Sequence, residues 1–289
     1  MMNQLKLFIE LTRLTKAIGY MLLFWPCAWG LTLAYDFSGS LNKYFFYLIL
    51  FFLGSVLMRS AGCIVNDIFD KEFDAKVFRT KNRPIASGKI SIKLGLLYAV
   101  TLCSFAFLVL INFNFFTIVL ALVSMPLAFT YPLMKRFTYW PQLFLGVTFN
   151  YGLILGWTAV KGDLEIAPIL FYVGAIFWTL GYDTIYGFQD IQDDEIIGLK
   201  STAIKFKGNA KKFLFACYSF LIILFTIGGY YMNFNMSYYI LGIIPLMHLF
   251  FYQMKNFNFT DPSTCLMVFK SNNLFGLIVL LNILIAKSF

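Results

Sequence analysis

The sequence predicts an all-α integral membrane protein, with nine transmembrane helices around a central cavity in a single domain, 1–289. Three observations carry that reading. Hydrophobic residues make up 60% of the chain and charged residues only 13%, where an ordinary soluble domain has about 25% charged. Nine stretches are apolar enough, and long enough, to cross a lipid bilayer. The basic residues gather between alternate stretches, as the positive-inside bias of membrane proteins requires.

The nine stretches are about 17–35, 44–65, 94–112, 114–132, 142–160, 166–186, 213–232, 237–254 and 271–287. The bilayer interior offers no water to backbone groups, so each is read as a helix. The first, "IGYMLLFWPCAWGLTLAY", is too long for a signal h-region and lacks a small-residue cleavage pattern, so it is kept as helix one. No Arg- and Ser-rich amphipathic leader precedes it. With the N-terminus in the cytoplasm, 19 Lys and Arg fall on the cytoplasmic side. Three (Lys43, Lys161, Lys287) fall opposite, and Arg59 lies within a helix. The expected location is therefore a bacterial inner membrane, with the N-terminus inside. The net charge of +9 serves orientation and an anionic substrate, and implies no nucleic acid. Five scattered cysteines lack metal-ligand spacing, and the single histidine, His248, excludes a His-based zinc site.

Against this background two polar islands stand out, in the two long connections on the same side. They read "NDIFDKEFDAKVFRTKNRPIASGK" and "YDTIYGFQDIQDDEIIGLKSTAIKFK", and they hold nine of the 14 acidic residues. At about 100° per residue on a helix, Asn66, Asp67, Asp70 and Asp74 share one face, and Asp183, Asp190 and Asp194 share another. Clustered carboxylates repel one another unless a cation intervenes. Their hard oxygens suit Mg²⁺, which takes a few carboxylates together with substrate phosphates. Lysines and arginines trail both clusters, ready for the remaining phosphate charge. Asp183 lies one turn deeper, flanked by Tyr182 and Tyr186, and an intramembrane acid is a functional candidate by default.

The motifs resemble those of the membrane aromatic prenyltransferases, the UbiA superfamily. "NDIFDKEFD" matches the N-D-x-x-D-x-x-x-D signature, and "YDTIYGFQDIQDDEIIGLKSTA" is similar to the second Asp-rich motif of the 4-hydroxybenzoate polyprenyltransferase branch. "LMRSAGCIVND", "RTKNRPIASG" and "YPLMKRFTYWPQLFLG" extend the likeness over essentially the whole chain. One departure is "RLTKAIG", where Thr15 and Ala17 replace the family's usual acid and proline.

The resemblance implies transfer of an allylic polyprenyl group from its diphosphate to the ring carbon ortho to the phenol of 4-hydroxybenzoate, with Mg²⁺, as a step of ubiquinone synthesis. It implies one metal-diphosphate contact at Asn66, Asp67, Asp70 and Asp74, and another at Asp190 and Asp194. Asp70 and Asp190 would assist ionisation. Arg79, Arg83 and Lys200 would meet phosphate, Lys135 would add charge beside them, and Arg136 would pair with the benzoate carboxylate. Asp183 would orient the phenol or accept the ring proton, with Tyr131 and Tyr182 lining the cavity. The alternatives are a prenyltransferase for another aromatic acceptor, of menaquinone or haem O type, and an ion-coupled transporter. A transporter would place broken helices and acids near the midplane, whereas here the acids gather at helix ends.

Overall fold

The structure, a computed structural model, describes residues 4–77 and 80–288. Among them there is no β-strand. A short helix α1 (Gln4–Thr12) precedes α2 (Ala17–Ala34), α3 (Leu41–Phe69), α4 (Ile92–Leu110) and α5 (Phe115–Thr130). Then follow α6 (Pro141–Lys161), α7 (Ile166–Gly187) and α8 (Ala210–Tyr231). A segmented helix α9 runs over 236–256, and α10 (Pro262–Ser288) closes the chain.

Among the described residues eight helical segments are long and apolar enough to span a bilayer. Of these, α5 is counted together with the 3-10 turn and short helix that carry it on to Phe137. The expected eighth span, 237–254, is α9, which is helical but comes in pieces. It is interrupted at Gly242 and wound as a π-helix over His248–Gln253. Pro245 lacks the N–H that an unbroken ladder needs. The rewound turn carries Gln253 into a buried amide cluster. Tyr218 donates to Gln253 Oε1 (2.6 Å), and Gln253 Nε2 donates to Asn272 Oδ1 (3.1 Å) and Ser271 Oγ (3.2 Å). Trp178 Nε1 donates to the same Asn272 oxygen (2.8 Å). One satisfied network thus ties α7, α8, α9 and α10 together, as π-bulges often do at sites with a specific task.

Between α2 and α6 the helices close by small residues. A Cβ at Gly30 would stand 1.9 Å from the Leu153 carbonyl oxygen, and one at Gly156 2.3 Å from that of Cys27. The backbones of α2 and α6 therefore touch, the contact that small residues permit between membrane helices. Ring packing of Trp29 on Trp178 (5.1 Å) and on Phe275 (6.3 Å) joins the two halves.

Both polar islands sit at one end of this bundle, and both depart from the simple helical faces expected of them. Helix α3 stops at Phe69, Asp70 bridges, and one further turn, Lys71–Asp74, follows. The hydrogen bonds Asp70 N to Asn66 O (2.9 Å) and Asp74 N to Asp70 O (2.7 Å) keep the four-residue register across the break. The second island does not keep its register. Helix α7 ends at Gly187, and Asp190 caps a separate turn, Ile191–Ile196. Asp183 thus belongs to a different helix from Asp190 and Asp194. Glycine is a poor helix former, and after Gly187 the N–H groups of Phe188, Gln189 and Asp190 turn to carbonyls three residues back, which ends the α-helical ladder.

Candidate active site

At the mouth of the bundle the first island is a lattice of ion pairs. Asp67 is 2% exposed and Asp70 1%, and a buried carboxylate persists only with partners. Arg13 Nη2 stands 2.5 Å from Asp67 Oδ1, and Arg83 Nη1 bridges Asp67 Oδ1 (3.2 Å) and Asp74 Oδ2 (2.6 Å). Lys135 Nζ lies 2.5 Å from Asp70 Oδ2. Burial pushes the Asp70 carboxyl above the usual range, and the Lys135 ammonium pulls it back. Asp70 Oδ1 accepts no hydrogen bond, and the Arg136 guanidinium is 3.9 Å away. Among the described residues no three carboxylates converge to form a metal site by themselves.

The two islands meet through one short segment. While the Lys135 side chain holds Asp70, its carbonyl accepts the Lys200 N–H (2.9 Å) from the second island's loop. Lys200 Nζ reaches the Phe137 carbonyl (3.3 Å). Gln142 Oε1 accepts the Thr202 N–H (3.0 Å), and Thr184 and Thr202 share a hydroxyl hydrogen bond of 2.6 Å. Those contacts fix the loop that carries Asp190 and Asp194, both half-buried. Arg136 donates to the Phe69 carbonyl (2.6 Å) and lies over the Phe73 ring (5.1 Å), so it belongs to the mouth. Asn66, half-buried, stands one turn before Asp70. Arg79 lies outside the described residues.

Beneath the mouth lies an apolar chamber of about 320 Å³ lined by α2 to α6. Leu50, Met58, Phe107, Leu110 and Met125 are typical of its wall, and Arg59 and Tyr131 mark its polar end. The Arg59 guanidinium is 5.3 Å from the Phe149 ring centre, and Tyr131 meets the same ring edge-on at 6.3 Å. Gly19 makes room for it, because a Cβ there would come within 2.9 Å of Arg59 Nε. Among the described residues no carboxylate lies within ion-pair distance of Arg59. Asp183, Tyr131 and Tyr182 are close enough to feel its charge.

Two of these residues escape the sequence reading. Arg13 precedes the first span and resembles an orientation signal, yet it neutralises Asp67. Arg59 carried a usable signal, since it is the one Lys or Arg in the interior of a predicted span, and such residues mark function.

The fold and site define a membrane-embedded transferase class: an acidic, cation-laced mouth over an apolar chamber. The chain belongs to the UbiA prenyltransferase family, which matches residues 23–278. It is 43% identical over 281 residues to the mitochondrial 4-hydroxybenzoate polyprenyltransferase of Bos taurus, covering 97% of this chain and 75% of the relative. It is 42% identical over 276 residues to the mitochondrial enzyme of the same name from Caenorhabditis elegans, covering 95% and 77%. A UbiA homologue from Archaeoglobus fulgidus bound to GPP and Mg²⁺ shares the fold, with a TM-score of 0.73 at 16% identity over 98% of this chain and 100% of that one. The expectation of a bacterial inner membrane, with its cytoplasmic assignment, is overturned by these relatives, whose names point to mitochondria. The basic bias separates two faces of a membrane and carries no information about which membrane it is.

Proposed function

We propose that this protein transfers a polyprenyl group from polyprenyl diphosphate to the ring carbon of 4-hydroxybenzoate ortho to its hydroxyl, the prenylation step of ubiquinone synthesis. The observation that carries the reading is Lys135, which joins both acidic islands over the apolar chamber. A diphosphate needs the mouth and an isoprenoid needs the chamber, so one amphiphilic substrate accounts for both. The relatives' names supply the acceptor.

The residues present fit Mg²⁺. The donor set is carboxylate oxygen, the ion needs only one or two of these beside phosphate, and Asp70 Oδ1 is buried without a hydrogen bond. Asp70, through its open Oδ1, with Asn66 one turn before it, would hold one ion, while Asp67 and Asp74 are held by Arg13 and Arg83; Asp190 with Asp194 would hold the other. Bound there, Mg²⁺ would neutralise charge on the departing diphosphate. The chain's own cations do the rest: Arg83, Lys135, Arg136 and Lys200, gathered at the mouth, would take the remaining phosphate charge. In the transfer the allylic C–O bond breaks, diphosphate leaves, a C–C bond forms at the ring, and the ring proton departs. Asp183 accepts that proton or orients the phenol. Arg59 replaces Arg136 as partner of the benzoate carboxylate, because Arg59 lines the chamber beside Tyr131 whereas Arg136 lies at the mouth over Phe73.

The test is transfer by purified membranes supplied with labelled 4-hydroxybenzoate and polyprenyl diphosphates of several lengths. Prenylated product is expected, lost with EDTA and restored by added Mg²⁺. Absence of product with every donor refutes the reading, and undiminished activity after exhaustive EDTA refutes the metal.

A further inference from the structure

The apolar chamber ends at a pair of stacked rings. On α3 its lining runs from Gly62, one turn before Asn66, to Leu50, about 18 Å of helix at 1.5 Å per residue. Phe51 and Phe113 line the end away from the mouth, with ring centres 4.7 Å apart and planes 28° from parallel. Tyr47, one turn beyond Phe51, lies outside the lining and backs the Phe113 ring at 5.3 Å.

Phe113 belongs to the loop between α4 and α5, and its apolar neighbours there face outward. Phe115 is 80% exposed and Ile111 50%, whereas Phe113 is 9%. The next residue pins the loop to the end of α6. Asn114 Nδ2 donates to the carbonyls of Thr158 (2.7 Å) and Ala159 (3.2 Å), and its Oδ1 accepts the Thr117 N–H (2.9 Å) in the first turn of α5. An amide satisfied at both ends has one orientation, and it holds the ring before it against Phe51.

An isoprene unit puts four carbon–carbon bonds of about 1.5 Å in line, about 5 Å of reach as a zigzag. The length of α3 along the chamber thus matches about three to four units. We infer that Phe51 and Phe113 are specificity-determining residues for the donor: their stacked rings close the chamber and set the tail length beyond which an isoprenoid must turn aside. A longer tail turns towards α4 and α5, where Phe107 and Leu122 line the chamber and are themselves exposed. The inference rests on the proposed reaction and names two residues which that reaction does not by itself require.

Steady-state kinetics in membranes, with prenyl diphosphates of two and of four isoprene units, provide the test. Wild-type transfer is established first, and its absence would refute the proposed reaction rather than the closed end. The quantity read is kcat/KM for the four-unit donor divided by that for the two-unit donor. Phe113→Ala opens the end and should raise this ratio about tenfold, the low end of what misfit in an apolar pocket costs. Gly54 lines the chamber one turn nearer the mouth than Phe51, and a Cβ there would meet nothing within 4 Å. Gly54→Leu therefore brings the closed end about 4.5 Å nearer the mouth, close to one isoprene unit, and should lower the ratio about tenfold. KM for 4-hydroxybenzoate should stay unchanged in both, and Phe115→Ala, in the same loop but facing outward, should keep the wild-type ratio. A purely structural role for Phe113 predicts lower abundance with the ratio unmoved, and that result overturns the inference, as does an equal rise in Phe115→Ala. Should Phe113→Ala fail to accumulate, Gly54→Leu decides. A lowered ratio supports the closed end, and an unchanged ratio refutes it.

Discussion

Asp70 shows at a single residue what the mouth requires. It is buried, it binds Lys135 through one oxygen, and it keeps the other without a hydrogen bond. If Asp70 and Asp190 serve one departing diphosphate from opposite islands, removing either leaves the other's metal without its full ligand set. Asp70→Asn and Asp190→Asn should therefore each lower turnover by about 10²–10³-fold, typical for losing a preorganised charge partner. Groups that act as a unit are non-additive, so the double variant should be scarcely slower than either single one. Turnover at matched membrane abundance checks this, and near-normal activity in either single variant would sink the shared site. The acids were legible in the sequence because carboxylates are conspicuous in a greasy chain. Their partners were not, since Arg13 and Lys135 sit where topology alone would also place a cation, and only the fold brings them to Asp67 and Asp70.

Among the elements, α2 and α6 make the tightest pair. Gly30 and Gly156 bring backbone against backbone, with no flexible side chain to yield. Gly156→Val should separate the helices and destabilise the protein by at least the upper end of the roughly 1–3 kcal/mol usual for overpacking. Thermal unfolding in detergent reads this directly, whereas Gly54→Val is expected to change little, since nothing lies within 4 Å of a Cβ there. An unchanged midpoint for Gly156→Val would show that the contact is not tight. The spans themselves were readable from hydropathy, because length and apolar content are local properties. Two features were not: the rewinding of α9, which serves Gln253's partners on two other helices, and the break after Gly187, which removes Asp183 from the second stripe. Each is a tertiary demand that overrides a local helical pattern.

At the scale of the whole molecule, nine crossings must put the two island loops on one face and the α2–α3 and α6–α7 connections on the other. The structure agrees from both ends. Lys135 links the islands at one face, and at the other Asp36 lies near enough to Lys161 and Lys287 to feel both charges. The agreement depends on α9 crossing despite its breaks. With eight crossings, the last helix would run the other way and Lys287 would join the island face. Single cysteines at Ser87, Asn209 and Asp163, all exposed, test this on a background lacking the five native cysteines, which are buried or half-buried. An impermeant thiol reagent applied to sealed vesicles should label Ser87→Cys and Asn209→Cys from the same side, and Asp163→Cys only from the opposite one. A cysteine replacing Ser288, beyond α9, should follow Asp163→Cys. If it follows Ser87→Cys instead, α9 does not cross, and the shared face of the two islands loses its support from the chain's overall path.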